Sequence, residues 1–139
     1  MTTEGNAGLT SLAGLDNITT VGRDLRISSN AGLTSLAGLN NITAIEGELW
    51  IEANARLTSL AGPDNIADVG GNTKSRNTVG GDPWIRYNAG LTSLVGLDHT
   101  TDVKGDLWIG GNDGLTSLAG LDSLTAVGGD VTIKDNAPI

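Results

Sequence analysis

Cysteine and phenylalanine do not occur in this 139-residue chain, and its aromatic residues amount to three tryptophans and one tyrosine. Without cysteine there are no disulfides, thiolate metal ligands or thiol nucleophiles, and the redox compartment is left open. With so few rings, a core of large interlocking side chains is excluded. Leu, Ile, Val and Ala must fill some regular architecture that accepts small residues. Positive charge is scarce too: eight Lys and Arg stand against sixteen Asp and Glu, a formal charge of −8. Nucleic acid is therefore excluded as a partner, because phosphate neutralisation needs clustered cations; a neutral or cationic partner is favoured. No apolar run approaches the ~20 residues of a membrane-spanning helix, so no membrane insertion is expected. Met1 leads directly into Thr2, Thr3 and Glu4, with no secretory apolar stretch. The length suits one domain, residues 1–139.

What the chain has instead is a repeat. The phrase Asn-Ala-Gly-Leu-Thr-Ser-Leu-Ala-Gly-Leu recurs with its Asn at Asn6, Asn30, Asn54, Asn88, Asn112 and Asn136, at intervals of 24, 24, 34, 24 and 24 residues. Five turns thus begin at 6, 30, 54, 88 and 112. One of them carries a ten-residue insertion, 70–79, bracketed by two copies of Val-Gly-Gly.

Aligning the turns gives seven apolar columns, which in the first turn are Leu9, Leu12, Leu15, Ile18, Val21, Leu25 and Ile27; later turns depart at Pro63, Pro83 and Thr100. The threefold spacing through the first part of each turn predicts short strands broken by corners. The last part alternates with period two, as in Asp24-Leu25-Arg26-Ile27-Ser28, which predicts a strand with one face inward. A helix is excluded by the missing 3.6 period, the density of glycine and the β-branched columns. The fold expected is all-β: a parallel β-helix-like solenoid of five 24-residue turns. Gly14, Gly38, Gly62, Gly96 and Gly120 mark corners, and the Asn column reads as a stack whose amides satisfy backbone groups at a bend.

Leu-Thr-Ser-Leu-Ala-Gly-Leu followed by Ile-Thr-x-Val-x-Gly-Asp-Leu-x-Ile-x-x-Asn resembles the receptor L-domain type of repeat, a relative of leucine-rich repeats found in bacterial and fungal cell-surface proteins. Over residues 5–136 the resemblance implies a right-handed solenoid, an extracellular or cell-surface setting and a recognition role without catalytic residues. It implies no cofactor.

The outward column Arg26, Trp50, Trp84, Trp108 and Thr132 contains every tryptophan of the chain. Turns in a parallel sheet lie ~4.8 Å apart, so the indoles should form a ribbon. Either they make a contact surface for a glycan or protein ligand, or they form a self-stacked ladder with Arg26 as a cation–π cap. The binding set on this face is Trp50, Trp84 and Trp108 with Asp82, Asp106 and Arg86, together with Lys74 and Arg76 from the insertion. The flanking column Asp24, Glu48, Asp82, Asp106 and Asp130 would place carboxylates near glycosidase spacing. Because every turn has one, no unique acid pair stands out; a solvated face is expected, and no enzyme. His99, near Asp98 and Asp102 but without Cys or a second His, does not make a metal site.

Two further readings remain. Met1 to Gly5 aligns with the closing strand of a turn and Asn136 to Ile139 opens another, so copies could stack head to tail into filaments through Thr3, Pro138 and Ile139. The unbroken Thr10, Thr34, Thr58, Thr92 and Thr116 column, beside the matching serines, suits an ice-binding surface.

Overall fold

A computed structural model describes residues 1–70 and 82–138. It contains eleven strands among those residues and no helix, arranged as a solenoid. The strands alternate between two sheets: β1 (Thr2–Glu4), β2 (Thr20–Val21), β3 (Leu25–Ser28), β4 (Ala44–Ile45), β5 (Leu49–Glu52), β6 (Asp68–Val69), β7 (Pro83–Arg86), β8 (Asp102–Val103), β9 (Leu107–Gly110), β10 (Ala126–Val127) and β11 (Val131–Lys134). Odd-numbered strands form a six-stranded sheet in the order β1-β3-β5-β7-β9-β11, and even-numbered strands a five-stranded one in the order β10-β8-β6-β4-β2. All pairings are parallel. Leu25 pairs with Leu49 and Arg26 with Trp50, while across the insertion Trp50 pairs with Trp84 and Ile51 with Ile85. The repeat register read from the sequence is the register of the sheet.

Period two fixes the larger sheet. Leu25, Ile27, Leu49, Ile51, Ile85, Leu107 and Ile109 point inward and are buried, and the residues between them face out. The threefold stretch differs from expectation. It consists of successive tight turns rather than short strands, with Leu15 N–H donating to Leu12 O (3.2 Å) and Ile18 N–H to Leu15 O (3.0 Å), and the same pattern at Leu39 and Ile42. A bond closed every three residues returns each third side chain to the interior, so the spacing is satisfied without extended backbone. Between turns this stretch is tied through the Thr column, Thr92 N–H donating to Thr58 O at 3.2 Å.

Corner chemistry completes the stack. Gly38 has φ 108° and Gly120 has φ 109°; a Cβ at either would run into the backbone of the preceding turn, at Leu12 or Leu94 respectively. The Asn column is buried from Asn30 to Asn112. Each Asn N–H donates to the Oδ1 of the next Asn, at 3.1 Å for Asn30 to Asn54 and 3.0 Å for Asn88 to Asn112. The Nδ2 groups donate to the same Oδ1 and also in the other direction, Asn54 to Ile27 O and Asn88 to Ile51 O, both at 2.9 Å. Polar groups that a bend would strand in the interior are thereby paired, which is worth more than the bonds themselves because an unpaired buried donor costs ~1–3 kcal/mol.

The core is a column of Leu, Ile and Val with no aromatic ring. Two of its apolar columns are interrupted in adjacent turns, at Pro83 and Thr100. There Leu97, Leu107 and Leu124 border a small apolar cavity of about 10 Å³. Insertion residues Lys74 and Arg76, and Ile139, lie outside the described residues. Thr3 occupies the Ile27 column in β1, with its hydroxyl buried and unpaired among the described residues, and Pro138 is exposed.

Candidate functional site

The outer face of the six-stranded sheet gathers every aromatic side chain. Strands β5, β7 and β9 hold Trp50, Trp84 and Trp108 one above another because parallel register repeats one residue per turn. Trp50 and Trp84 stack with centroids 5.3 Å apart at 18°, and Trp84 and Trp108 at 5.4 Å and 7°. The rings are half-buried, and their faces are turned toward each other.

Cations close the stack. The Arg26 guanidinium lies 4.7 Å from the Trp50 ring centre, and its Nη2 is 3.3 Å from carboxylates of both Asp24 and Glu48. Arg86 is packed among three rings, 4.8 Å from Trp84, 5.4 Å from Trp50 and 5.7 Å from Tyr87. Its Nη2 donates to Glu52 Oε2 at 3.2 Å, and its Nε lies 3.1 Å from Oε1 as an ion pair without hydrogen-bond alignment. At the far end Lys134 Nζ sits 4.6 Å from the Trp108 ring.

The acidic column is more than a solvated face. Asp24 Oδ1 accepts the Glu48 N–H (3.1 Å), Asp82 Oδ1 the Asp106 N–H (2.8 Å) and Asp106 Oδ1 the Asp130 N–H (2.7 Å), so these carboxylates cap the backbone of the following turn. The second oxygens and Glu48 serve the ladder: Trp50 Nε1 donates to Glu48 Oε2 at 2.6 Å, and Trp84 bonds Asp82. Burial raises the Asp82 carboxyl above the ordinary aspartate range, with the Asp106 charge acting in the same direction, and the bonds from Asp106 N–H and Trp84 partly offset them. The geometry thus brings together Trp50, Trp84, Trp108, Asp82, Asp106 and Arg86 on one face.

Tyr87 was not singled out by its sequence. It is 59% exposed, and it has φ 56°. Its column reads Gly5, Ser29, Ala53, Tyr87, Gly111 and Asp135, all left-handed, a conformation that costs a bulky residue ~1–2 kcal/mol. Its ring lies over Gly111 of the next turn, where a Cβ would stand 2.6 Å from two ring carbons. The signal was available as a large residue in a column otherwise filled by small ones.

On other faces, Thr10, Thr34, Thr58, Thr92 and Thr116 are exposed in a column. Thr92 Oγ1 is engaged with Thr58 O at 3.3 Å, and Ser11 and Ser35 hydroxyls accept the N–H of Ala13 and Ala37, both at 3.0 Å.

Fold and face together define a β-solenoid with a cation-capped indole ladder on its larger sheet. No protein-family model, curated protein or solved structure matches the chain.

Proposed function

We propose that this protein is a non-enzymatic recognition module whose aromatic outer face binds a glycan or protein ligand. One observation carries the reading: all four aromatic side chains lie outside the core on one face, and the most exposed of them, Tyr87, is held in a backbone conformation that costs stability. Trp, Tyr and Arg are the residue types that dominate contact energies at interfaces. The resemblance of the repeat phrase to receptor L-domains supports the same role and an extracellular or cell-surface setting.

End-to-end stacking is the second reading, favoured by Val131 and Ile133, which are 53% and 37% exposed where their counterparts in inner turns are buried. It is the weaker one. Ice binding through the Thr column has less support still, because Thr92 turns its hydroxyl to the Thr58 carbonyl at 3.3 Å and the adjacent Ser11 and Ser35 hydroxyls are engaged by backbone N–H groups.

The test is to probe glycan and cell-surface protein arrays with the parent chain and with the double variant Arg86→Ala, Tyr87→Ala. A ligand whose binding falls at least about tenfold in the folded variant is the expected result. Silence on both arrays, or binding indifferent both to these two substitutions and to Trp108→Ala, overturns the proposal.

A further inference from the structure

The three indoles are not equivalent. In Trp50 and Trp84 both ring faces are covered by a neighbouring indole or an ion-paired arginine, and each N–H is directed to the acid of its own turn. Carbohydrate stacking needs an open ring face, so neither offers one.

Trp108 departs from its neighbours on three counts. Its Nε1 has turned over Gly110, where a Cβ would lie only 2.9 Å away, and it meets no acceptor among the described residues. Its outer face looks toward β11, where the column holds Thr132 instead of a fourth ring. The Lys134 ammonium lies over that face, on an exposed side chain with no carboxylate partner among the described residues. Beside it stand Asp106 and Asp130, both exposed; one Asp106 oxygen is used by Asp130 N–H and the Asp130 carboxylate is unengaged among the described residues.

A ring face covered by one flexible lysine, an indole N–H without an acceptor among the described residues and that lysine's ammonium stand on the same face as the carboxylates of Asp106 and Asp130. We infer that the Trp108 end of the ladder is a carbohydrate subsite taking one pyranose of a neutral glycan, an inference that rests on the recognition reading above. The C–H face of the sugar lies on the indole once Lys134 swings aside. Its hydroxyls donate to Asp106 and Asp130 and accept from Trp108 Nε1–H and Lys134. Uronic and sialic acids are disfavoured, since both flanking carboxylates and the net charge of −8 repel them. Tyr87, lying on Gly111 beside the subsite, borders the path a longer glycan would follow.

The three tryptophans give three indole N–H resonances, which makes the site directly observable. Cellohexaose, chitohexaose, xylohexaose and mannohexaose would each be titrated to about 5 mM, enough to populate a contact with Kd on the order of 1 mM. One probe should move the Trp108 signal well beyond those of Trp50 and Trp84. Trp108→Ala should abolish binding. Thr132→Trp, which adds a rung over the outer face of Trp108 while keeping the ladder intact, should weaken it at least about tenfold; Thr10→Ala, on another face of the solenoid, should leave it within about twofold. Shifts centred on Trp50 or Trp84, binding that survives Thr132→Trp, or no shift with any of the four sugars overturns the subsite. A protein ligand found on the arrays without any sugar-induced shift would overturn the subsite and leave the recognition role standing.

Discussion

Trp84 lies flat on Trp108, ring centres 5.4 Å apart and planes within 7°, so that each indole hides a face of the other from water. With Trp50 on its other side and Asp82 accepting its N–H, Trp84 is the most connected ring of the ladder. Offset aromatic pairs add ~0.5–1.5 kcal/mol each beyond burial. Trp84→Ala should therefore lower the unfolding free energy by about 2–4 kcal/mol in urea, since two stacks are lost along with buried ring area. A loss no greater than that of the exposed substitution Thr10→Ala would show that the ladder contributes nothing to stability.

Asn88 sits at the centre of the buried amide column. Its Oδ1 accepts from Asn54 N–H and Nδ2, and its own Nδ2 serves Ile51 O and Arg86 O. Asn88→Ala strands several of these groups at once, and a cost of about 3–5 kcal/mol is expected. The same change at Asn6, which is exposed in the first turn, should cost under about 1 kcal/mol. Equal losses at the two positions would mean that pairing in the interior is not what the column supplies.

Thr100 stands in a column that reads Ile18, Ile42, Ile66, Thr100 and Leu124, and it lines the cavity left beside Pro83. Its hydroxyl is paired with Ile66 O at 3.0 Å. Thr100→Ile fills the space with the side chain the neighbouring turns already use there, and should stabilise by about 1 kcal/mol. A lower melting temperature for this variant would place more weight on the hydroxyl than on the void.

Because burial raises the Asp82 carboxyl, the folded chain binds that proton more tightly than the unfolded chain, whose value is near 3.8. The ionised group opposes folding, and its penalty is relieved as pH falls from above the raised folded value toward 3.8. Asp82→Asn removes this dependence. The difference in unfolding free energy, parent minus variant, should move in favour of the parent through that window on acidification; a difference that is flat with pH would refute the assignment.

Most of the fold is legible from the sequence for a simple reason: every turn presents the same residue to the same neighbour. Leu25 over Leu49 and Trp50 over Trp84 need only counting, and the insertion is visible as an interval of 34 instead of 24. The Asn column and the corner glycines follow from the same alignment. The path of the Leu9-to-Ile18 stretch does not, because threefold spacing is met equally by short strands and by linked three-residue turns, and only the bond from Leu15 N–H to Leu12 O distinguishes them. At the site, the column of tryptophans is evident and its closure is not. Whether an indole offers its face or its edge depends on a side-chain torsion, and the turning of Trp108 over Gly110 is a consequence of one missing Cβ in a neighbouring column.

The turns touch only the turns above and below them, and this gives the molecule an unusual response to tension. Pulled by its two ends, it has no single mechanical clamp; rungs peel away one after another, each releasing slack equal to its own contour. A 24-residue rung frees about 80 Å of chain and the 34-residue rung about 115 Å. A force–extension trace should therefore be a regular sawtooth with one longer tooth, and the position of that tooth in the series reports the order in which the rungs give way.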